Sequence, residues 1–150
     1  MRIQTLEREQ FLPHPVEAVF GFFAEAANLE RITPPLLGFR VLTCGPIEMR
    51  AGTLIEYRLR LHGIPVAWLT RIEEWVPGVR FVDMQLAGPY RLWHHTHAFE
   101  ATEGGTLMTD TVRYVLPAWP LGSLAGPLMR RHLAAIFDFR RDAVGRLLAS

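Results

Sequence analysis

The sequence predicts an α+β domain, a curved antiparallel sheet of about seven strands with one long C-terminal helix packed across it. Three observations carry this prediction. From Gly38 to Pro117 apolar and polar residues alternate with a period of two, in segments separated by Gly- and Pro-containing turns, as half-buried strands do. From Leu121 to Leu148 the period becomes helical. Leu124, Ala125, Leu128, Met129, His132, Leu133, Ile136, Phe137, Phe139, Val144 and Leu147 share one broad arc, while Arg130, Arg131, Asp138, Arg141, Asp142 and Arg146 share the other. Finally, no other segment is a long helix, so the partner for so wide a stripe has to be the sheet. One residue breaks the stripe: Arg140 projects near its middle.

The chain of 150 residues suits a single domain, 1–150, able to bury a sizeable core. No apolar run approaches the ~20 residues of a membrane span, so no integral membrane association is expected. Met1 leads into Arg2-Ile3-Gln4 without an apolar signal segment, and Cys44 is the single cysteine. Together these favour a reduced, cytoplasmic setting and exclude an internal disulfide or a cysteine-based zinc site. The net charge of +1 gives no electrostatic case for nucleic acid. Nothing argues against a weak homo-oligomer.

Taken in order, Arg2 to Phe11 reads as a first strand, stopped by Pro13-His14-Pro15. Pro15 suits a helix start, where no amide donor is needed, and Val16, Val19, Phe20 and Phe23 then repeat at helical spacing. Ala26 to Ile32 predicts a second short helix ended by Thr33-Pro34-Pro35. The strands that follow are Phe39 to Thr43, Gly52 to His62, Pro65 to Val76, Val79 to Ala87, Arg91 to Ala101 and Thr106 to Leu116. In the second of these, Thr53, Ile55, Tyr57, Leu59 and Leu61 face one side, and Glu56, Arg58, Arg60 and His62 face the other, so one side of the sheet is covered. Pro117 to Ser123 reads as the loop entering the last helix, and Pro127 either kinks that helix or marks its start.

Register in the final hairpin follows from the same pattern. If Ala101 opposes Thr106 across a loop of Thr102-Glu103-Gly104-Gly105, then Phe99 opposes Met108, His97 opposes Asp110, His95 opposes Val112 and Trp93 opposes Tyr114. Apolar and aromatic residues then share one face, the condition that pins register. His97 and Asp110 become a cross-strand pair on the covered face.

The order strand, two short helices, six antiparallel strands and long final helix resembles the SRPBCC superfamily. This is the helix-grip fold of START lipid-transfer domains, the birch-pollen-allergen group and polyketide cyclase/dehydrase-like proteins. The segments that carry the resemblance to a bacterial ligand-binding subgroup begin with Asn28-Leu29-Glu30, Ile32-Thr33-Pro34-Pro35 and His62-Gly63-Ile64-Pro65 with Trp68. Arg80-Phe81-Val82-Asp83, Gly88-Pro89-Tyr90 and Trp93-His94-His95-Thr96-His97-Ala98-Phe99 follow. Gly104-Gly105-Thr106, Asp110-Thr111-Val112 and Ile136-Phe137-Asp138-Phe139-Arg140 complete the set. The resemblance implies a cavity between sheet and final helix holding an apolar small molecule. It does not imply a reaction, since the superfamily contains both carriers and enzymes.

The candidate cavity wall is Ile55, Tyr57, Leu59, Trp68, Ile72, Phe81, Trp93, Phe99, Met108 and Tyr114, joined by Ile136 of the helix. Its polar interruptions are Asp83, His95, His97, Asp110, His132 and Arg140. Three readings of His97–Asp110 stay open: a satisfied buried pair, a carboxylate-oriented general base, or, with His95, a metal site. The first is preferred, and no metal or other cofactor is expected. Arg140 either snorkels to water, pairs with Asp110 or Asp83, or clamps an anionic ligand. No phosphate loop, dinucleotide fingerprint or nucleophile elbow is present. The leading expectation is therefore binding or transport of a hydrophobic small molecule or lipid. A cyclase/dehydrase-like enzyme using a His-Asp pair is the alternative, and an interaction module with a solid core is the third.

Overall fold

The computed structural model describes residues 2–61, 63–117 and 126–149. Seven strands form one antiparallel sheet: β1 (Gln4–Leu12), β2 (Arg40–Val41), β3 (Leu54–Leu61), β4 (Ile64–Val76), β5 (Arg80–Ala87), β6 (Leu92–Thr102) and β7 (Gly105–Val115). Their spatial order is β1-β7-β6-β5-β4-β3-β2, so each strand after β1 neighbours its successor and β1 closes against β7. Helices α1 (Val16–Ala24) and α2 (Asn28–Arg31) follow β1, and α3 (Gly126–Ala149) ends the chain. This is the predicted helix-grip arrangement. Among the described residues, no helix is long and apolar enough to cross a membrane.

Several bounds differ from expectation. The second short helix is a single four-residue turn, and Pro35–Leu37 adds a 3-10 turn that Gly38 closes at φ +55°. The β6–β7 register is the predicted one, yet Thr102 pairs with Gly105, which shortens the loop to Glu103-Gly104. Gly104, at φ +83°, makes that two-residue turn possible. In β4 the pairing with β5 shifts between Ile72 and Glu74. This bulge resets the alternation, so Trp75 packs inward three residues after Ile72.

On α3, Leu133, Phe137 and Val144 are buried at spacings of four and seven, the stripe that faces the sheet. Leu128 is a correction: it is 58% exposed. It lies nine residues, about two and a half turns, before Phe137, so it projects to the opposite side of the helix. Pro127 stands in the first turn of the described helix. The predicted positions Leu124 and Ala125, the loop over 118–123 and the outward His62 lie outside the described residues. Two contacts tie α3 to the sheet edge: Arg8 to Asp138 at 2.7 Å, and Gln10 Nε2 to the Arg141 carbonyl at 2.9 Å.

The core divides along α3. At one end Val19, Phe20 and Phe23 of α1 meet Phe81, Phe99, Met108 and Val144. At the other, Leu133 and Phe137 cover Leu59, Trp68, Tyr90, Trp93, Val112 and Tyr114. The two packed ends leave a space between sheet and helix.

Candidate functional site

That space is a cavity of about 150 Å³. Apolar cavities of about this size can hold a single aromatic ring. Its sheet wall includes Ile55, Tyr57, Leu59, Trp68, Ile72, Phe81 and Trp93; Leu133, Ile136 and Phe137 reach it from α3; Phe23, Leu29, Ile32 and Leu37 close it from the short helices. Aromatic rings brace one another around it, with Trp68 edge-on to Trp93 at 5.3 Å and beside Tyr57 at 5.7 Å.

One side of the cavity is polar. β6 is the central strand there, and it sends His95 and His97 to the covered face between Asp83 on β5 and Asp110 on β7. Along the backbone His95 opposes Asp83, and His97 opposes Asp110. The side chains cross over. His95 Nε2 is 2.7 Å from Asp110 Oδ1, and His97 Nε2 is 2.6 Å from Asp83 Oδ2. The expected His97–Asp110 pair is present but looser, with His97 Nδ1 3.3 Å from Asp110 Oδ1, so the shortest contacts are the crossed ones. The cause is stacking. The His97 ring lies flat against Phe81 at 4.0 Å, and the His95 ring lies on His97 at 3.6 Å. The column places each imidazole nearest the diagonal carboxylate, which long side chains can reach.

Arg140 closes the network from α3. Its Nη2 donates to His97 Nδ1 at 3.1 Å and to Asp110 Oδ1 at 3.3 Å. Its guanidinium carbon sits 5.3 Å from the Phe23 ring and 5.6 Å from the Phe137 ring, within cation–π reach of both. Arg140 is therefore an inward ion pair with Asp110 rather than a snorkelling side chain. Both His97 ring nitrogens are thereby engaged, Nδ1 by Arg140 and Nε2 by Asp83.

The charges follow. Burial works to raise Asp110, but Arg140 and the hydrogen bonds from His95 and His97 outweigh it and hold the carboxyl well below its usual range. Burial also opposes ionisation of Asp83, where the His97 hydrogen bond, His95 and Arg140 prevail and the value is lowered. Burial, with the neighbouring His97, pushes His95 down to about 4 despite both carboxylates, so this imidazole is neutral near pH 7. Burial and Asp83 raise the Tyr57 phenol well above its ordinary value. Asp83, His95 and His97 also offer three ligand atoms within 4.8 Å of one another. A metal there would have to break the His97–Asp83 hydrogen bond and sit close to the Arg140 cation.

A family model described as polyketide cyclase / dehydrase and lipid transport matches residues 12–139. The chain belongs to this family. Membership in the polyketide cyclase/dehydrase and lipid transport family agrees with the SRPBCC resemblance of the sequence. Solved structures of the same fold include TTHA0849 from Thermus thermophilus, with a TM-score of 0.79 and 18% identity over 97% of each chain. The Zhui aromatase/cyclase from Streptomyces sp. R1128 matches with a TM-score of 0.73 and 17% identity over 99% of this chain and 94% of its own. Ara h 8.0201 matches with a TM-score of 0.62 and 16% identity over 95% and 98%. At these identities the likeness speaks to fold alone. None of the curated proteins matches the sequence.

Within this family fold, the sequence-predicted residues divide. Tyr57, Trp68, Phe81, Asp83, Trp93, His95, His97, Ile136 and Arg140 line the cavity. Asp110 does not; it stands behind the imidazoles, against a small cleft beside β1 with Met108. Phe99 and Met108 belong to the core around α1, and Tyr114 to the core under Leu133 and Phe137. Half-buried His132 is also outside the lining. The sequence reading missed the contribution of Phe23, Leu29, Ile32 and Leu37, and of Tyr90 and Leu133. The only available signal was the surplus of apolar residues on two short helices that no other element required.

Proposed function

We propose that the protein binds an apolar small molecule in the cavity between sheet and α3, as a carrier or sensor rather than an enzyme. The observation that carries this reading is a space walled by aromatic and aliphatic side chains with a few polar groups gathered on one side, the composition of small-molecule sites. The family's association with lipid transport is in keeping with it. A solid core would have favoured an interaction module.

The enzyme reading has one observation in its favour, the His97–Asp83 pair at 2.6 Å on the cavity wall. A general base, however, must offer a lone pair to the substrate near neutral pH. His97 has Nε2 committed to Asp83 and Nδ1 to Arg140, and His95 is a weak base at about 4. Binding therefore fits the cluster better than proton transfer.

Titration with a single-ring hydrocarbon such as ethylbenzene, followed through amide chemical shifts, tests the proposal. Saturable binding is expected, with the largest shifts at Leu59, Trp68, Trp93 and Leu133. Absence of saturation, or shifts spread over the outer sheet face, defeats it. His97→Gln is expected to weaken hydrocarbon binding only modestly.

A further inference from the structure

Trp68 reaches the cavity from β4 and Arg140 from α3, so they belong to facing walls. Each carries a buried N–H, the indole Nε1 and the guanidinium Nε, with no hydrogen-bond partner among the described residues. Trp68 is only 7% exposed, so its donor has little access to bulk water. A buried donor without an acceptor is a standing cost to the fold, and a ligand oxygen in hydrogen-bond reach removes it.

Charge narrows the class of that oxygen. Asp83 and Asp110 are both held below the usual carboxylate range, and the His95 imidazole between them is neutral near pH 7. Arg140 already shares its Nη2 between Asp110 and His97. The lining thus holds Asp83 and Glu25 against Arg140, whose charge Asp110 behind the imidazoles already engages. A carboxylate ligand would enter a net negative field in a low-dielectric site. A carbonyl oxygen meets the orphaned donors without that penalty.

We propose that the cavity selects neutral ring compounds bearing a hydrogen-bond-acceptor oxygen, such as a ketone, ester or lactone, over hydrocarbons of the same outline and over carboxylates. This rests on the cavity being a ligand site. Trp68 Nε1 is the donor that would read the oxygen and Arg140 Nε the second, once the side chains packed over them give way to admit it.

Three probes of nearly one shape separate the terms: α-methylstyrene, acetophenone and benzoate, titrated at pH 7 into the wild-type protein and Trp68→Phe. Both neutral probes lose the same packing in the variant, so the difference between them isolates the donor–acceptor pair, as in a double-mutant cycle. Acetophenone is expected to weaken about tenfold more than α-methylstyrene on Trp68→Phe, the worth of one buried hydrogen bond. In the wild type, benzoate is expected to bind at least ~10-fold more weakly than acetophenone. Equal losses for the two neutral probes overturn the role of Trp68 while the pocket reading stands. Benzoate as the tightest ligand overturns the charge argument. If none of the three binds, the pocket reading falls and the inference falls with it. Should Trp68→Phe not fold, the wild-type ranking decides alone, and acetophenone ranking below either other probe overturns the proposal.

Discussion

His95 is the side chain whose protonation state most strongly links the polar cluster to stability. It faces Asp83 from β5, Asp110 from β7, the His97 ring on its own strand, and Phe137 from α3. Burial and His97 lower it from 6.5 to about 4 in the folded protein. In the unfolded chain its imidazole titrates near the ordinary value, about 6.5. Between these values the unfolded state binds a proton that the folded state refuses, so stability rises with pH across this window. The full contribution is present above about pH 6.5 and is lost as pH falls toward 4, on the order of 3 kcal/mol. The lowered Asp83 and Asp110 act in the same direction further down, losing their contribution as the pH falls through the carboxylate range. Urea unfolding at pH 7.0, 5.5 and 4.5 reads this directly, and His95→Gln is expected to flatten the slope between the first two points. A wild-type slope no steeper than that of the variant would show that His95 is not held neutral. That Arg140 breaks the apolar helical stripe was legible in the sequence, which left snorkelling, pairing with Asp110 or Asp83 and a ligand clamp open. The crossed pairing was not legible. Register determines which Cα atoms face each other, whereas ring stacking on Phe81 decides which carboxylate each imidazole reaches.

At the scale of elements, adjacent glycines show what a sequence pattern merges. Gly104 and Gly105 both read as turn residues, but only Gly104 has a positive φ. Gly105 begins β7 where β1 ends, and a Cβ there would lie 2.2 Å from the Leu12 carbonyl oxygen and 3.0 Å from Pro13 Cα. Both obstacles are backbone, held by the Leu12–Thr106 pairing, so neither can swing aside. Gly105→Ala should destabilise the protein by about 1–3 kcal/mol, the usual cost of overpacking. Gly21 is the control: it is exposed within α1, and nothing lies within 4 Å of its added Cβ. Gly21→Ala should stabilise by ~1 kcal/mol by removing a flexible residue from a helix interior. Urea midpoints of the two variants should therefore move in opposite directions, and a fall for Gly21→Ala would contradict the helical role of that position. The antiparallel strands, the hairpin register and the gripping helix were legible because period and turn chemistry are local; the pairing of β1 with β7 is not local and carried no such signal. The bulge in β4 was less so: it appears only as the three-residue interval from Ile72 to Trp75, which an alternation rule reads as the end of a face.

For the molecule as a whole, whether the apolar faces meet as a solid core or enclose space is a question of volume. Periodicity carries no volume, so Phe99, Met108 and Tyr114 were indistinguishable in sequence from the wall residues Phe81 and Trp93. The structure separates them because α1 packs down at one end and Leu133 with Phe137 at the other, leaving about 150 Å³ between. Side-chain atoms that fill apolar space gain packing, at roughly 24 cal/mol per Å³ for a sealed core cavity. A fold kept for packing alone could gain this by enlarging one wall residue; a fold kept for a ligand cannot. Ile136 is half-buried on the cavity side of α3 and is not part of either packed cluster. Ile136→Trp should therefore fill part of the space, raise unfolding free energy by about 1 kcal/mol and abolish saturable ethylbenzene binding. Stability and binding are measured on one preparation, by urea unfolding and by chemical-shift titration. If both are lost together, the wall has no room for the indole and the void is smaller than the geometry indicates; if binding survives undiminished, the ligand sits elsewhere.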